Sequence, residues 1–336
     1  MGNKQVINYS SVKHNKGSVS IKSYSAKTSP PRSDYEYLVF EGGGVKGLAY
    51  GGALKALEEA KLLNNIKGYA GASAGAITAT LCAIGYTADE ISTIIKDTDF
   101  SDFLDHEPLG KISELYELIT EYGEHSGTYF HKYMQKFVDE KTGNPDYTFG
   151  DLWEDKCIQL VVVATDLNKL KTVYFSHLNY NTMPIADAVR MSMSIPFLFH
   201  PVKFNDQLFV DGGLIDNYPL HVFDGDFPGD PKTSLGISEP NMKVLGLKLI
   251  TPDEECDYQL YEPLEINSMK SFSYAIIETL IAANERKYIK PEYWKRTLPI
   301  NIQKGFPATR FTLTSAEKEM LIKDGTDAVK AWIEKA

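Results

Sequence analysis

The chain of 336 residues has only three cysteines, Cys82, Cys157 and Cys256. They lie far apart, are odd in number and lack metal-ligand spacing, so neither a disulfide framework nor a zinc site is expected. A reducing compartment follows. No run approaches the roughly 18 apolar residues a membrane-spanning helix needs, and the first residues hold no apolar core of a secretory leader. These absences point to the cytoplasm, with any membrane contact peripheral. Met1-Gly2 opens like a myristoylation signal, but Val6 stands where that signal needs Ser or Thr.

An excess of positive charge is missing as well. The net charge is −10, which disfavours nucleic acid as the main partner, because phosphate binding relies on clustered Lys and Arg. The bases that are present gather at the start: Lys4, Lys13, Lys16, Lys22, Lys27 and Arg32 precede the first acidic residue, Asp34. Residues 1–34 therefore read as a basic, disordered leader, either simply solvated or in touch with an anionic lipid surface. A hydrophobic content of 43% with 24% charged residues describes a globular enzyme whose length permits a sizeable buried site.

Strand and helix patterns alternate from Tyr37 onward. Tyr37–Phe40 reads as a buried strand, followed by a glycine-rich turn and a helix with Ala49, Ala53, Leu54 and Leu57 at helical spacing. Ile66–Ala70 repeats the design, leading through Gly71-Ala72-Ser73-Ala74-Gly75 into a small-residue helix over Ala76–Ile84. Thr87, with Glu90 three residues on, predicts a capping box ahead of a helix to Lys96. Residues 99–155 are read as mainly helical excursions on the surface or over the site. Ile158–Ala164 is a continuous Val-rich run, the pattern of a central parallel strand buried on both faces. Thr172–Ser176 and Val244–Ile250 are further strands, Pro184–Ser194 a short helix, and Phe223–Met242 a surface loop; helices are expected near 266–289 and 315–335. The expected fold is α/β, a mostly parallel central sheet with helices on both faces. Three regions follow: the leader at 1–34, a catalytic domain at 35–250, and a mainly helical C-terminal extension at 251–336 packed on it.

Three turns carry the chemistry, and in such a fold all three are expected beyond the carboxyl ends of strands. Gly71-Ala72-Ser73-Ala74-Gly75 is a G-x-S-x-G elbow: Ser73 is exposed on a tight strand-to-helix turn, and a side chain at Gly71 or Gly75 would collide with the neighbouring strand or helix. The following helix aims its amides and positive dipole end at the hydroxyl. Gly42-Gly43-Gly44-Val45-Lys46-Gly47 offers backbone amides free of side chains, with Gly43 and Gly44 as donors to an oxyanion. Lys46 either steadies that loop and adds positive potential or is simply solvated. The hexad also fits the G-x-G-x-x-G dinucleotide pattern, but the acidic residue expected at the end of the second strand is replaced by Gly71-Ala72-Ser73. Asp211-Gly212-Gly213 places an acid at a strand end. Asp224, Asp226 and Asp230 lack the Glu that a calcium loop needs at its twelfth position.

A glycine-rich oxyanion turn, an early G-x-S-x-G and a late Asp-Gly-Gly together resemble the patatin-like phospholipase family over about residues 36–250. Ala188–Pro196 leading into Phe199-His200-Pro201-Val202, and Asp211 through Asn217 and Pro219, extend the resemblance. It implies a Ser73–Asp211 catalytic dyad, an oxyanion loop of Gly42, Gly43, Gly44 and Lys46, and supporting roles for Gly47, Gly71, Gly75, Gly212 and Gly213. It also implies hydrolysis of phospholipid or other glycerolipid acyl esters, of phospholipase A or lysophospholipase type, with no metal and no cofactor.

A triad of conventional order would need a histidine after Asp211, and only His221 qualifies; Tyr218-Pro219 suggests a turn that leaves it poorly placed. His200 is no better a candidate. Asp211 as direct base requires burial to raise its pKa. Ile195–Phe199 supplies an apolar cluster for an acyl channel or a membrane-touching rim, or else packs inside. Acyl transfer between lipids and neutral glycerolipid hydrolysis remain open alternatives, as does, from another class, a catalytically silent lipid-binding or signalling module.

Overall fold

The computed structural model describes residues 28–105, 120–225, 239–250, 265–285, 291–303, 306 and 310–334. Most of the leader, the centre of the 99–155 excursion and most of the 223–242 loop therefore lie outside the described residues.

Strand β1 (Tyr37–Phe40) leads through a 3-10 turn at Gly44–Leu48 into α1 (Ala49–Glu59), and β2 (Gly68–Ala72) leads into α2 (Ala74–Ile84). Helix α3 (Ala88–Asp97) starts at Thr87, whose hydroxyl accepts from the Glu90 amide while the Glu90 carboxylate accepts from the Thr87 amide. A short β3 (Gly123–His125), α4 (Thr128–Thr142) and α5 (Phe149–Lys156) follow, so the described residues of the excursion are mainly helical with one strand. The apolar run becomes β4 (Gln159–Asp166), then come β5 (Lys171–Phe175), α6 (Ile185–Ser192), β6 (Phe197–Phe199), β7 (Val202–Phe204), β8 (Gln207–Asp211) and β9 (Val244–Ile250). Helices α7 (Met269–Glu285) and α8 (Pro291–Trp294), strand β10 (Thr297–Asn301) and helix α9 (Ser315–Glu334) complete the described chain.

The main sheet follows the hydrogen-bonded path β10-β9-β1-β2-β4-β8-β7, with β5 also on β4. Strands β10, β9, β1, β2 and β4 are mutually parallel. Alternation of side chains across the pleat sorts the core into two layers. Leu38, Phe40, Leu160, Val162, Leu245 and Leu247 face α1, α2, α4 and α9. Val39, Ala70, Val161 and Val244 face Tyr218, Leu220 and Val222, with Tyr293 of α8 packed against them.

The sheet is mostly parallel with helices on both faces, as expected, and two features add detail. Strand β4 is parallel to β2 but antiparallel to β5 and β8, because tight turns return the chain on both later occasions; Asn205 and Asp206, both at positive φ, make the β7–β8 turn. The 251–336 stretch is more than a helical cap, since β10 adds a parallel strand to the sheet edge. Its Leu298 and Ile300 are buried, a short apolar signal that Pro299 interrupts in sequence.

Candidate active site

The register of β4 explains how two distant segments meet. Strand β2 pairs with residues 159–163 of β4, and β8 pairs with residues 164–166. Strand β5 pairs with residues 162–166 and so occupies the opposite edge. Strands β2 and β8 consequently share one edge of β4, running toward each other: Ala72 ends opposite Val163 and Asp211 ends opposite Ala164. The residue after Ala72 has no room to continue the strand and turns away into α2. That residue is Ser73. The Asp-Gly-Gly turn thus reaches the carboxyl edge of the parallel strands from the other direction, at the carboxyl end of its own strand.

Ser73 is buried and takes φ 52° and ψ −126°, a conformation non-glycine residues avoid and functional sites retain. Its amide donates to Ser192 Oγ at 2.9 Å, and that hydroxyl donates to the Val163 carbonyl at 2.6 Å. The flanking glycines are required by contact: a Cβ at Gly71 would lie 2.3 Å from the Gly75 carbonyl, and one at Gly75 2.3 Å from the Phe40 carbonyl.

Asp211 is buried, and burial raises its carboxyl to about 7; the Ser73 hydroxyl and then the Gly213 amide pull it back down. Its Oδ1 accepts from the Gly213 amide at 2.7 Å. Oδ2 is buried without a fully formed hydrogen bond, while the Ser73 hydroxyl is directed at Met193 Sδ, 3.7 Å away. Gly212 lies so close to β4 that a Cβ there would sit 2.3 Å from the Val163 carbonyl.

The glycine-rich turn meets both. A Cβ on Gly42 would be 3.2 Å from Ser73 Cβ and 2.2 Å from Asn217 Oδ1, and a Cβ on Gly213 would be 2.5 Å from the same Asn217 oxygen. Asn217 clamps the turn, its carbonyl accepting from the Gly42 amide at 2.9 Å and its Nδ2 donating to the Gly42 carbonyl at 3.0 Å. Gly44, at φ 54°, opens the 3-10 turn, and the amide of half-buried Lys46 donates to the Gly43 carbonyl at 3.1 Å. A Cβ on Gly43 would lie 3.4 Å from Lys46 Cε, so the lysine stem folds back over the turn. Gly47 abuts Ala74 at the start of α2, where a Cβ would be 3.0 Å from the Ala74 methyl.

Residues 38–224, more than half of the chain, match the family described as patatin-like phospholipase. The chain belongs to this family. Its relatives include an uncharacterized protein of Acanthamoeba polyphaga mimivirus, 31% identical over 90% of this chain and 94% of that protein. The uncharacterized protein YqhO of Bacillus subtilis is 31% identical over 85% of this chain and 94% of its own length. A probable lipid hydrolase of Invertebrate iridescent virus 6 is 30% identical over 56% of this chain and 63% of that protein. Among solved structures, VipD from Legionella pneumophila shares the fold with a TM-score of 0.56 at 19% identity, covering 90% of this chain and 67% of that one. Membership carries the coarse activity, hydrolysis of lipid acyl esters.

The patatin-like site leans on residues with no obvious sequence signature. Glu41, directly before the glycine turn, is buried against Lys248, and its Oε2 accepts from the Leu249 amide at 2.8 Å. The one trace of this pair in sequence is a lone lysine inside the apolar run Val244–Ile250. Arg190 donates to Ser194 Oγ and to the Ser126 and His200 carbonyls, while the Ser194 carbonyl accepts from the Asp211 amide at 2.8 Å. His221 is engaged with Tyr174 Oη at 3.2 Å and Asp216 Oδ2 at 3.7 Å. Asp224 is held by the Arg296 guanidinium. Within Ile195–Phe199, Ile195, Leu198 and Phe199 are buried and Phe197 is exposed, so the segment divides between packing and rim.

Proposed function

We propose that the protein is a serine phospholipase A or lysophospholipase that works through a Ser73–Asp211 dyad. The observation carrying this reading is a buried carboxyl raised to about 7 beside a strained serine at a strand-to-helix elbow. An ordinary aspartate near 4 is a weak acceptor for a serine proton, and burial removes that mismatch.

Ser73 Oγ attacks the acyl carbonyl as its proton passes to Asp211, and the carbonyl π electrons move onto oxygen. The Gly43 and Gly44 amides, with Lys46 adding positive potential and Gly42 held by Asn217, stabilise that oxyanion; loss of one such donor costs ~100- to 1000-fold in rate. The tetrahedral intermediate collapses with cleavage of the ester C–O bond, and Asp211 returns its proton to the departing alcohol. Water, deprotonated by Asp211, then attacks the Ser73 ester; the second tetrahedral intermediate collapses with cleavage of the Ser73 Oγ–acyl bond, Asp211 returns the proton to Ser73 Oγ, and the fatty acid leaves. Neither His221 nor a metal takes part in this scheme.

The test is fatty-acid release from mixed phospholipid and lysophospholipid dispersions, with fluorophosphonate labelling alongside. Wild type releases fatty acid and labels at Ser73; Ser73→Ala does neither; Asp211→Asn loses turnover while His221→Ala keeps most of it. Equal loss in His221→Ala would demand a triad. Labelling of Ser73 without release from any lipid would sink the substrate assignment.

A further inference from the structure

Helix α7 presents its apolar residues outward. Met269, Phe272, Ile276 and Leu280 recur at spacings of three and four, which sets them on one stripe. They are 73%, 48%, 43% and 44% exposed. Ala275 and Ile277 are buried on the inward side, where Tyr274 Oη donates to Glu124 Oε2 at 3.4 Å. Four large apolar side chains left exposed along one stripe, rather than scattered singly, invite an apolar partner. The helix packs against the Gly212–Leu214 turn that follows Asp211, and against β6. Phe197, the first residue of β6, is 37% exposed at φ 68°, so a bulky ring is held at the surface on strained backbone. The apolar rim therefore borders the turn that carries the carboxyl.

We propose that the α7 stripe, with Phe197, docks the protein on a lipid bilayer by inserting apolar side chains at the boundary between headgroups and acyl chains. The proposal rests on the lipid acyl hydrolase reading, since that substrate resides in the layer the rim would enter. A second copy of the chain fits less well. Met269 to Leu280 spans about 16 Å at helical rise, and a stripe about 10 Å wide covers on the order of 200 Å². A stable protein interface buries about 800 Å² per partner. A bilayer sets no such minimum, because a few apolar side chains reach it individually. The stripe carries no charge, and the protein's net charge of −10 opposes an anionic surface, so the favoured bilayer is zwitterionic.

The full chain is sedimented with phosphatidylcholine vesicles and assayed both on those vesicles and on p-nitrophenyl butyrate in solution. Wild type and Ser73→Ala are expected to co-sediment. Phe272→Ser/Ile276→Ser/Leu280→Ser is expected to lose at least tenfold in vesicle affinity and in vesicle hydrolysis, with butyrate turnover unchanged. Leu178→Ser, an equally exposed leucine beyond the far end of β5, is expected to behave as wild type. Should the triple variant melt early, Phe272→Glu alone carries the comparison. Vesicle binding by the variants at wild-type strength overturns the proposal. So does a wild-type dimer in solution that the substitutions dissociate, which would assign the stripe to a second copy. Vesicle binding without turnover of either ester overturns the hydrolase reading and leaves docking standing.

Discussion

In the proposed scheme Asp211 carries both the chemistry and a folding cost in one side chain. Its carboxyl sits at about 7 where an unburied aspartate sits at 3.8, so the folded protein keeps a proton that the unfolded chain gives up near pH 4. The stability this group contributes is whole below pH 4 and is lost as pH rises to 7, by at most ~4 kcal/mol. Asp211→Asn should therefore melt higher than wild type at pH 8, with the advantage shrinking toward pH 4 in a thermal-denaturation series. Activity runs the opposite way: kcat/KM for a soluble ester should climb with pH and level off above about 7, since only the ionised carboxyl accepts the serine proton. A rate profile flat from pH 5 to 9 would remove Asp211 from the role of base.

At the scale of elements, the glycine turn after β1 is held on two sides. Asn217 fixes Gly42 to the Asp211 turn, and Glu41 fixes the preceding residue to β9 through Lys248 and the Leu249 amide. Oxyanion stabilisation depends on amides aimed to within a fraction of an ångström, so a loosened turn costs rate before it costs binding. Glu41→Gln is expected to lower kcat roughly 10- to 100-fold with KM nearly unchanged. It also leaves Lys248 buried without its counter-charge, a destabilising change in its own right. Glu41→Leu/Lys248→Met separates the two effects: thermal stability should return while kcat stays low. Recovery of both together would reduce the pair to a structural role.

Across the whole molecule, the C-terminal segment is part of the catalytic fold. Helix α9 lies on α1, the helix that begins just after the glycine turn. A Cβ on Gly325 would fall 1.8 Å from the Ala49 carbonyl, and one on Gly52 1.8 Å from the Ile322 carbonyl, so the two helices touch backbone to backbone. Overpacking such a contact typically costs ~1–3 kcal/mol and more where backbone must move, so Gly325→Val should destabilise by about 3 kcal/mol or more. Chemical denaturation measures this directly. A substitution as mild as a surface change would mean the helices separate freely. Among the described residues no helix is long and apolar enough to cross a membrane.

What the sequence determined by itself was whatever a local pattern encodes. G-x-S-x-G, Asp-Gly-Gly and the capping box at Thr87 each need only a few neighbouring residues, and strand-turn-helix repetition revealed an α/β sheet. The antiparallel return of β8 was hidden, because strand direction depends on the turns that join strands and leaves no mark on an apolar run. So was the partnership of Glu41 with Lys248, and of Ser73 with Ser192, since a buried polar side chain is chosen for a neighbour more than a hundred residues away. Only the tertiary structure decided that β2 and β8 meet end to end on one edge of β4. That encounter brings hydroxyl and carboxyl together and buries the acid deeply enough to lift its pKa.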